Sequence, residues 1–183
     1  MMDANEAQLA LDNADCIYSD AEVQQAIART AKEITNKLAG KDPLVFCVMT
    51  GGIIPAGHLL TRLNFPLQID YIHATRYQGG TKGGNLTWLA RPSIPMKGRT
   101  VLVIDDIYDE GVTLSEIAEY CSAEGAESIY TAVLINKLHD RKQGDKPDFI
   151  SLETEDRYLI GYGMDYHGYL RNVPGIYAIK DKK

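Results

Sequence analysis

Three carboxylates follow a short apolar run in the middle of this 183-residue chain. Residues 101–104 read Val-Leu-Val-Ile, and Asp105, Asp106 and Asp109 come directly after them. A continuous apolar run is typical of a strand buried on both faces of a parallel sheet, and ligands of such sheets bind outside the carboxyl ends of the strands. Gly111 and Thr113 then lead into a helical pattern. Because the free N–H groups of a helix start favour phosphate, the sequence predicts an anion site here.

The three carboxylates also limit the chemistry that fits this site. Adjacent carboxylates repel one another unless a cation lies nearby, and Mg²⁺, which prefers oxygen ligands, is the natural counter-ion. A hydroxyl-rich ligand that donates to them is an alternative, as is an aspartate that only caps the next turn. Other site classes are disfavoured, because no Gly-x-Ser-x-Gly elbow is present and the four histidines lack metal-ligand spacing.

The surrounding elements alternate as in a parallel α/β sheet. Ser19 and Glu22 form a capping box at the start of an amphipathic helix, which ends at Gly40. Strand, helix, strand is the order typical of βαβ units. Thr50 and Gly51 follow the first apolar strand, where glycine allows a ligand to approach the backbone. The predicted strands cover residues 44–49, 67–73, 86–89, 100–104, 128–135 and 176–179, and further helices cover residues 53–63 and 114–125.

The composition narrows the class of protein and its surroundings. A net charge of −6 argues against a general nucleic-acid binder or a binder of anionic membranes. The N-terminus lacks the basic and apolar regions of a signal peptide, and no apolar run approaches the roughly 20 residues of a membrane span. The scattered Cys16, Cys47 and Cys121 suggest no disulfide framework. We therefore expect a cytoplasmic protein that acts on a small phosphorylated ligand.

Residues 101–114 resemble the phosphoribosyl pyrophosphate (PRPP) motif of type I phosphoribosyltransferases. Lys137 and the segments 146–149, 161–166 and 169–171 resemble the hypoxanthine-guanine phosphoribosyltransferases. The resemblance begins near residue 44. It implies one α/β domain over residues 1–183, with a mainly parallel sheet flanked by helices. The core would cover about residues 40–145, and residues 1–39 and 146–183 would build a small hood and the base pocket.

The resemblance implies roles for the residues that would hold PRPP. Asp105 and Asp106 would bind the ribose hydroxyls, directly or through Mg²⁺, and Asp109 would be the catalytic proton acceptor at purine N7. Thr50 and Gly51 would belong to the pyrophosphate loop, where the bond between Met49 and Thr50 is a candidate cis peptide. The 5′-phosphate would lie against Asp109, Glu110, Gly111, Val112 and Thr113. Residues 77–86 would close over the reacting centre.

The C-terminal segments would choose the base. By resemblance, Lys137, placed just past the end of the predicted strand, would donate to O6 of a 6-oxopurine. Tyr158 would stack on the base and Leu159 would offer its backbone carbonyl. Asp165 would bind a second Mg²⁺ with the pyrophosphate, which Arg171 would also contact. The reaction would then join hypoxanthine or guanine to PRPP, giving IMP or GMP and pyrophosphate.

Two positions depart from the family pattern, and other functions remain open. Thr50 stands where many relatives carry another residue, and Glu110 replaces a small hydroxyl residue in the phosphate loop. We predict that the Glu110 carboxylate points away from the phosphate. A xanthine-guanine enzyme is one alternative, and a PRPP- or nucleotide-sensing regulatory protein of the same fold is another. The resemblance to this family also suggests a homodimer or homotetramer.

Overall fold

The computed structural model describes residues 2–76 and 86–180. Two helices and a strand come first, and the rest of the chain alternates as an α/β protein. The elements are α1 (Ala4–Asp12), β1 (Asp15–Tyr18), α2 (Asp20–Leu38), β2 (Leu44–Met49), α3 (Ile53–Leu60), β3 (Gln68–Arg76), β4 (Leu86–Ala90), β5 (Thr100–Tyr108), α4 (Val112–Ala123), β6 (Ser128–Leu138), β7 (Phe149–Glu155), β8 (Leu159–Ile160) and β9 (Ile176–Ala178).

The main sheet has six strands in the order β4-β3-β2-β5-β6-β7. β4 pairs antiparallel with β3, and the other neighbours are parallel. β5 lies in the interior of the sheet, and its residues from Thr100 to Asp106 are all buried. This strand therefore carries its carboxylates to the sheet edge where parallel strands end together, as the predicted α/β fold requires.

Helices cover both faces of this sheet. α2 and α3 pack on one face, where Ile27, Ile34 and Leu59 join Leu102 and Ile104 in one core. α4 packs on the other face with residues such as Leu114 and Ile117. The predicted capping box at Ser19 is confirmed, since Ser19 accepts from the Glu22 N–H and Glu22 bonds back to Ser19. The helix that caps the larger core is therefore fixed at its start by local side chains.

A second, three-stranded sheet forms the predicted hood from both ends of the chain. Its order is β1-β9-β8, with antiparallel pairs throughout. The Tyr18 hydroxyl donates to the Glu153 carbonyl at 2.7 Å, which ties the hood to β7 of the main sheet. Tyr162 bonds Asp20 and Gln24 at the start of α2. The hood is thus attached to the core through side chains from both termini.

Several boundaries differ from those predicted. β6 continues to Leu138, so Lys137 lies inside the strand and not past its end. α3 ends at Leu60. Helix α1 and strand β1 were not predicted, although Asp3 and Glu6 form a capping box. The predicted closing loop falls largely on residues 77–85, outside the described ranges, and Leu86 begins β4.

None of the helices in the described ranges has both the length and the apolar character needed to cross a bilayer. The longest, α2, has 19 residues, and it carries polar residues along the face opposite its core stripe. This helix is therefore an amphipathic element of the α/β domain, with its apolar stripe turned to the sheet.

We expect the core face of α2 to carry much of the domain's stability. Ile34 is fully buried in that core. Replacing it with Ala removes apolar contacts and leaves a cavity, so Ile34→Ala should lower the free energy of unfolding by about 2–5 kcal/mol. Glu33→Ala, on the exposed side of the same helix, is the matched control and should stay within about 0.5 kcal/mol. Urea denaturation measures both, and equal losses would contradict the assigned core face.

Candidate active site

A cavity of about 360 Å³ lies where β2 and β5 end. The carboxyl ends of both strands form its floor, and the start of α4 forms one wall. Ten of the residues predicted for the site line this cavity: Thr50, Gly51, Asp105, Asp106, Asp109, Glu110, Gly111, Val112, Thr113 and Arg171. The structure thus brings together the predicted PRPP residues from three distant parts of the chain.

The turn from Asp109 to Val112 presents backbone donors to the cavity. Gly111 has a left-handed φ of +90°, and a Cβ there would lie 2.4 Å from the Tyr108 ring. Glycine is therefore required by both conformation and space. α4 begins directly afterwards, so the N–H groups of its first turn are not used within the helix. Together with the helix dipole, they suit an anionic group.

Asp105 and Asp106 are both buried at the end of β5, with 8% and 7% exposure. The Asp106 N–H donates to the Asp105 carboxylate at 2.9 Å. Burial raises the pKa of both groups, and the neighbouring Asp106 carboxylate raises the pKa of Asp105 further. The Arg171 guanidinium acts in the opposite direction on both pKa values. Two close carboxylates that resist joint ionisation form a natural position for a cation.

Glycines allow three segments to meet at Asp106. A Cβ on Gly51 would lie 2.1 Å from the Asp106 Oδ2 atom, and one on Gly163 would lie 2.0 Å from the Gly51 carbonyl oxygen. The predicted cis peptide between Met49 and Thr50 is confirmed. The strand-end loop, the carboxylate and the hood therefore approach one another at distances that only glycine permits.

Arg171 reaches the cavity from the hood. Its guanidinium pairs with the Asp165 carboxylate at 2.7 Å and donates to the Gly163 carbonyl. Asp165 also accepts from the Gly168 N–H at 2.7 Å. Arg171 lines the cavity, whereas Asp165 is not among the lining residues and is connected to the site by its ion pair with Arg171. The predicted metal role of Asp165 stays a prediction.

Asp109 carries a second polar cluster away from the paired carboxylates. Lys137 Nζ lies 3.1 Å from Asp109 Oδ2, and His139 Nε2 lies 2.7 Å from Oδ1. Lys137 is also 3.6 Å from Asp156, which pairs with Arg141 at 2.8 Å. Burial acts to raise the pKa of Asp109, but the bonds from His139 and Lys137 outweigh it and lower the pKa below its ordinary value. The carboxylate is therefore held ionised, as a proton acceptor requires.

Sequence reasoning missed His139 and Asp156. His139 follows Lys137 by two positions, so the two side chains fall on the same side of an extended segment. Continuing the side-chain alternation of β6 past Ile135, where the apolar run ends, would have predicted this arrangement. Asp156 lies next to the end of β7, and its approach to Lys137 depends on pairing between distant strands.

The predicted base-binding residues Tyr158 and Leu159 lie at the edge of the hood. Tyr158 is half exposed and meets Tyr166 edge-on, with ring centroids 5.6 Å apart. The Ile179 N–H donates to the Tyr158 carbonyl, so Leu159 and Ala178 form a non-hydrogen-bonded pair of the antiparallel ladder. The Leu159 carbonyl accordingly points away from β9, toward an edge on which no described strand pairs.

The mainly parallel sheet, the acidic strand end and the hood define a type I phosphoribosyltransferase fold. A model of the phosphoribosyl transferase domain matches residues 13–167, and the chain belongs to this family. The chain is 34% identical over 166 residues to the hypoxanthine-guanine-xanthine phosphoribosyltransferase of Tritrichomonas foetus, covering 90% of this chain and 91% of the relative. It is 30% identical over 165 residues to the hypoxanthine-guanine phosphoribosyltransferase of Bacillus subtilis, covering 90% and 92%.

Solved structures show the same fold. A hypoxanthine-guanine-xanthine phosphoribosyltransferase superimposes with a TM-score of 0.84 and 31% identity, over 93% of this chain and 99% of that chain. A hypoxanthine phosphoribosyltransferase from Staphylococcus aureus gives a TM-score of 0.88 at 23% identity, over 94% and 95%. The similarity therefore extends over almost the whole domain.

The close approach at Gly51 can be tested directly. Gly51→Ala places a methyl group against the Asp106 carboxylate, so we expect the free energy of unfolding to fall by about 1–3 kcal/mol. Gly57→Ala is the matched control, because a Cβ on Gly57 meets nothing within 4 Å and the residue lies inside α3. It should raise stability by about 0.5–1 kcal/mol. Chemical denaturation compares the two, and a neutral Gly51→Ala would refute the tight packing.

Proposed function

We propose that the protein transfers the phosphoribosyl group of PRPP to hypoxanthine or guanine, giving IMP or GMP and pyrophosphate. The observation that carries this proposal is the contact between Lys137 and Asp109. Asp109 begins the turn of residues 109–112 that lines the cavity, which we call the phosphate turn. A donor suited to purine O6 and a proton acceptor suited to N7 lie side by side, next to the anion site. The relatives that share most of the chain's length bear names with this activity.

In this proposal the cavity binds PRPP. The first-turn N–H groups of α4 and the Thr113 hydroxyl hold the 5′-phosphate, together with backbone groups from Asp109, Glu110, Gly111 and Val112. Asp105 and Asp106 bind the ribose hydroxyls. Thr50, Gly51 and Arg171 bind the pyrophosphate. The lining of the cavity by all of these residues supports the assignment.

We propose that Mg²⁺ is the cofactor. Asp105 and Asp106 fit it, because two buried carboxylates with raised pKa values line the cavity and lack a full counter-charge of their own. Held by Asp105 and Asp106, Mg²⁺ would supply positive charge that stabilises the leaving pyrophosphate. Asp165, 2.7 Å from Arg171, is the residue proposed for a second ion.

The purine would lie between β6 and the hood. Lys137 donates to O6, Tyr158 stacks on the ring and the Leu159 carbonyl accepts from the ring edge. Adenine presents a donor at C6, which faces the Lys137 ammonium unfavourably. The half-exposed Tyr158 ring and the outward Leu159 carbonyl support these roles.

The charges of the chain's own residues suit the transfer step. As N9 bonds to C1′, the C1′–oxygen bond breaks and its electron pair leaves with pyrophosphate. Arg171 and backbone N–H groups stabilise the leaving charge. Asp109 takes the N7 proton on one carboxylate oxygen.

Xanthine is a second candidate substrate, favoured by the names of two similar proteins. The Tritrichomonas foetus relative, which is 34% identical over 166 residues, is named for hypoxanthine, guanine and xanthine. The 31% identical solved structure carries the same three bases in its name. Xanthine adds an oxygen at C2, so its use depends on the hood edge near Leu159.

We also propose a cytoplasmic homodimer or homotetramer. Three large apolar side chains on β3 and β4 are about half exposed: Ile69, Tyr71 and Leu89. A second copy of the chain would bury them and remove apolar surface from water.

An assay with hypoxanthine, guanine, xanthine and adenine tests the function. With PRPP and Mg²⁺, hypoxanthine and guanine should form nucleotides, and adenine should react at least about 100-fold more slowly because its C6 amino group opposes Lys137. Chromatographic detection of nucleotide and pyrophosphate measures this. Turnover of adenine at a similar rate would overturn the base assignment. PRPP binding without turnover of any base would favour a regulatory protein.

Lys137 provides a specific test of base recognition. Lys137→Met keeps the length of the side chain and removes its charged donor, so we expect kcat/KM for hypoxanthine to fall about 10- to 100-fold. The preference over adenine should shrink with it. Lys146→Met, at an exposed position in the following loop, is the control and should leave the kinetics unchanged. An unaltered base preference in Lys137→Met would refute the role of Lys137.

A further inference from the structure

His139 is bound at both ring nitrogens. Its side chain is only 6% exposed, and Nε2 lies 2.7 Å from Asp109 Oδ1. The Arg141 backbone N–H lies 3.1 Å from Nδ1. A backbone amide can only donate, so Nδ1 must accept. The ring proton therefore resides on Nε2, which donates to Asp109.

Both ring nitrogens of His139 are therefore occupied, and the ring is held as a fixed hydrogen-bond donor to Asp109. The charged groups near this cluster include Asp109, Lys137, Arg141, Lys142 and Asp156. Lys137 supplies a positive charge in direct contact with Asp109.

Lys137 and His139 divide the two oxygens of Asp109 between them. Lys137 bonds Oδ2 and His139 bonds Oδ1. The atoms of Asp109, His139 and Asp156 that could bind a metal ion lie within 4.8 Å of one another. The Lys137 ammonium, however, contacts both carboxylates. The cluster is therefore a hydrogen-bonded ion-pair network, in which the lysine already provides the positive charge.

The loop after β6 holds His139 against the phosphate turn. The Gln143 N–H donates to the Glu110 carbonyl at 2.8 Å, and the Tyr108 hydroxyl donates to the Gly144 carbonyl at 2.8 Å. Lys142 Nζ bonds the Tyr108 carbonyl at 2.8 Å. These bonds join the residues on either side of Asp109 to the loop that begins with His139. The hydrogen bonds before and after Asp109 therefore fix the distance between the Asp109 and His139 side chains.

We propose that His139 is a positioning residue for the phosphoribosyl transfer. By keeping its hydrogen bond to Asp109 Oδ1, His139 orients the carboxylate so that Oδ2 faces the purine. This inference rests on the proposed function. When Lys137 moves to purine O6, Oδ2 is released and His139 keeps the carboxylate oriented. The N7–H bond then breaks, its proton goes to Oδ2, and its electron pair returns to the ring as N9 bonds to C1′. His139 moves no proton.

Two amide substitutions separate the contacts of His139. In His139→Gln the side-chain amide nitrogen would lie at the distance of the ring Nε2, so the donor to Asp109 is kept. His139→Asn is one bond shorter and would retain only the acceptor for the Arg141 N–H. We expect His139→Asn to lower kcat about 10- to 100-fold with KM for PRPP nearly unchanged, and His139→Gln to recover most of kcat. Asp140→Asn, exposed in the same loop, is the control.

Coupling to Asp109 distinguishes positioning from general damage to the loop. If His139 acts through Asp109, adding His139→Asn to Asp109→Asn should cause no further loss of kcat, whereas a structural role would give multiplied losses. His139→Asn should also move the acid limb of the kcat profile to higher pH. Removing a donor to the carboxylate raises the pKa of Asp109, so the ionised form is lost earlier as the pH falls.

The outcomes also separate this inference from the proposed function. Wild-type kcat in both His139 variants, beside a large loss in Asp109→Asn, would overturn the role of His139 alone. Multiplied losses in the double variant would overturn it as well. Wild-type kcat in Asp109→Asn would instead overturn the catalytic role of Asp109 in the proposed function. Thermal unfolding of each variant confirms that the compared proteins are folded.

Discussion

The burial of two adjacent carboxylates at the end of β5 is the constraint on which the site depends. Asp105 and Asp106 are almost inaccessible, and like charges this close cannot both ionise without compensation. Arg171 supplies part of that compensation from the other end of the chain. It can do so only because Gly51 and Gly163 let the hood approach the strand end. The close packing of the two glycines therefore allows the segment that carries Arg171 to lie beside the buried carboxylates.

The attachment of the hood follows from the same requirement. Tyr162, beside Gly163, has a positive φ of 48° and bonds Asp20 and Gln24 at the start of α2. Burial raises the pKa of Tyr162 to about 12, and its bond to Asp20 adds to this effect, so the hydroxyl stays a donor. The first turn of α2 thus holds the segment that carries Arg171. A helix whose core stripe looks purely structural also fixes the position of a charge in the cavity.

The sequence predicted those features whose signals are local. The apolar run before Asp105 and the capping box at Ser19 each occupy a few consecutive residues. The extension of β6 to Leu138 was missed because residues 136–138 are not an apolar run, and they join the strand through pairing with β7. β1 was missed for a similar reason: its partner is β9, at the other end of the chain. Contacts of this kind depend on tertiary structure.

The same distinction explains why Asp109 was found and His139 was not. Asp109 belongs to a contiguous motif, whereas its hydrogen-bond partners Lys137 and His139 lie 28 and 30 residues later, at the end of the neighbouring strand β6 and just after it. Because the parallel strands β5 and β6 end together, Asp109 and its two partners lie side by side. Neither stretch of sequence alone indicates that it contacts the other. The turn before α4 and the end of β6 therefore share one carboxylate, Asp109. In the proposed transfer reaction this geometry would couple the two substrates, because a purine bound to Lys137 would change the bonding of a residue that also lines the proposed phosphate site.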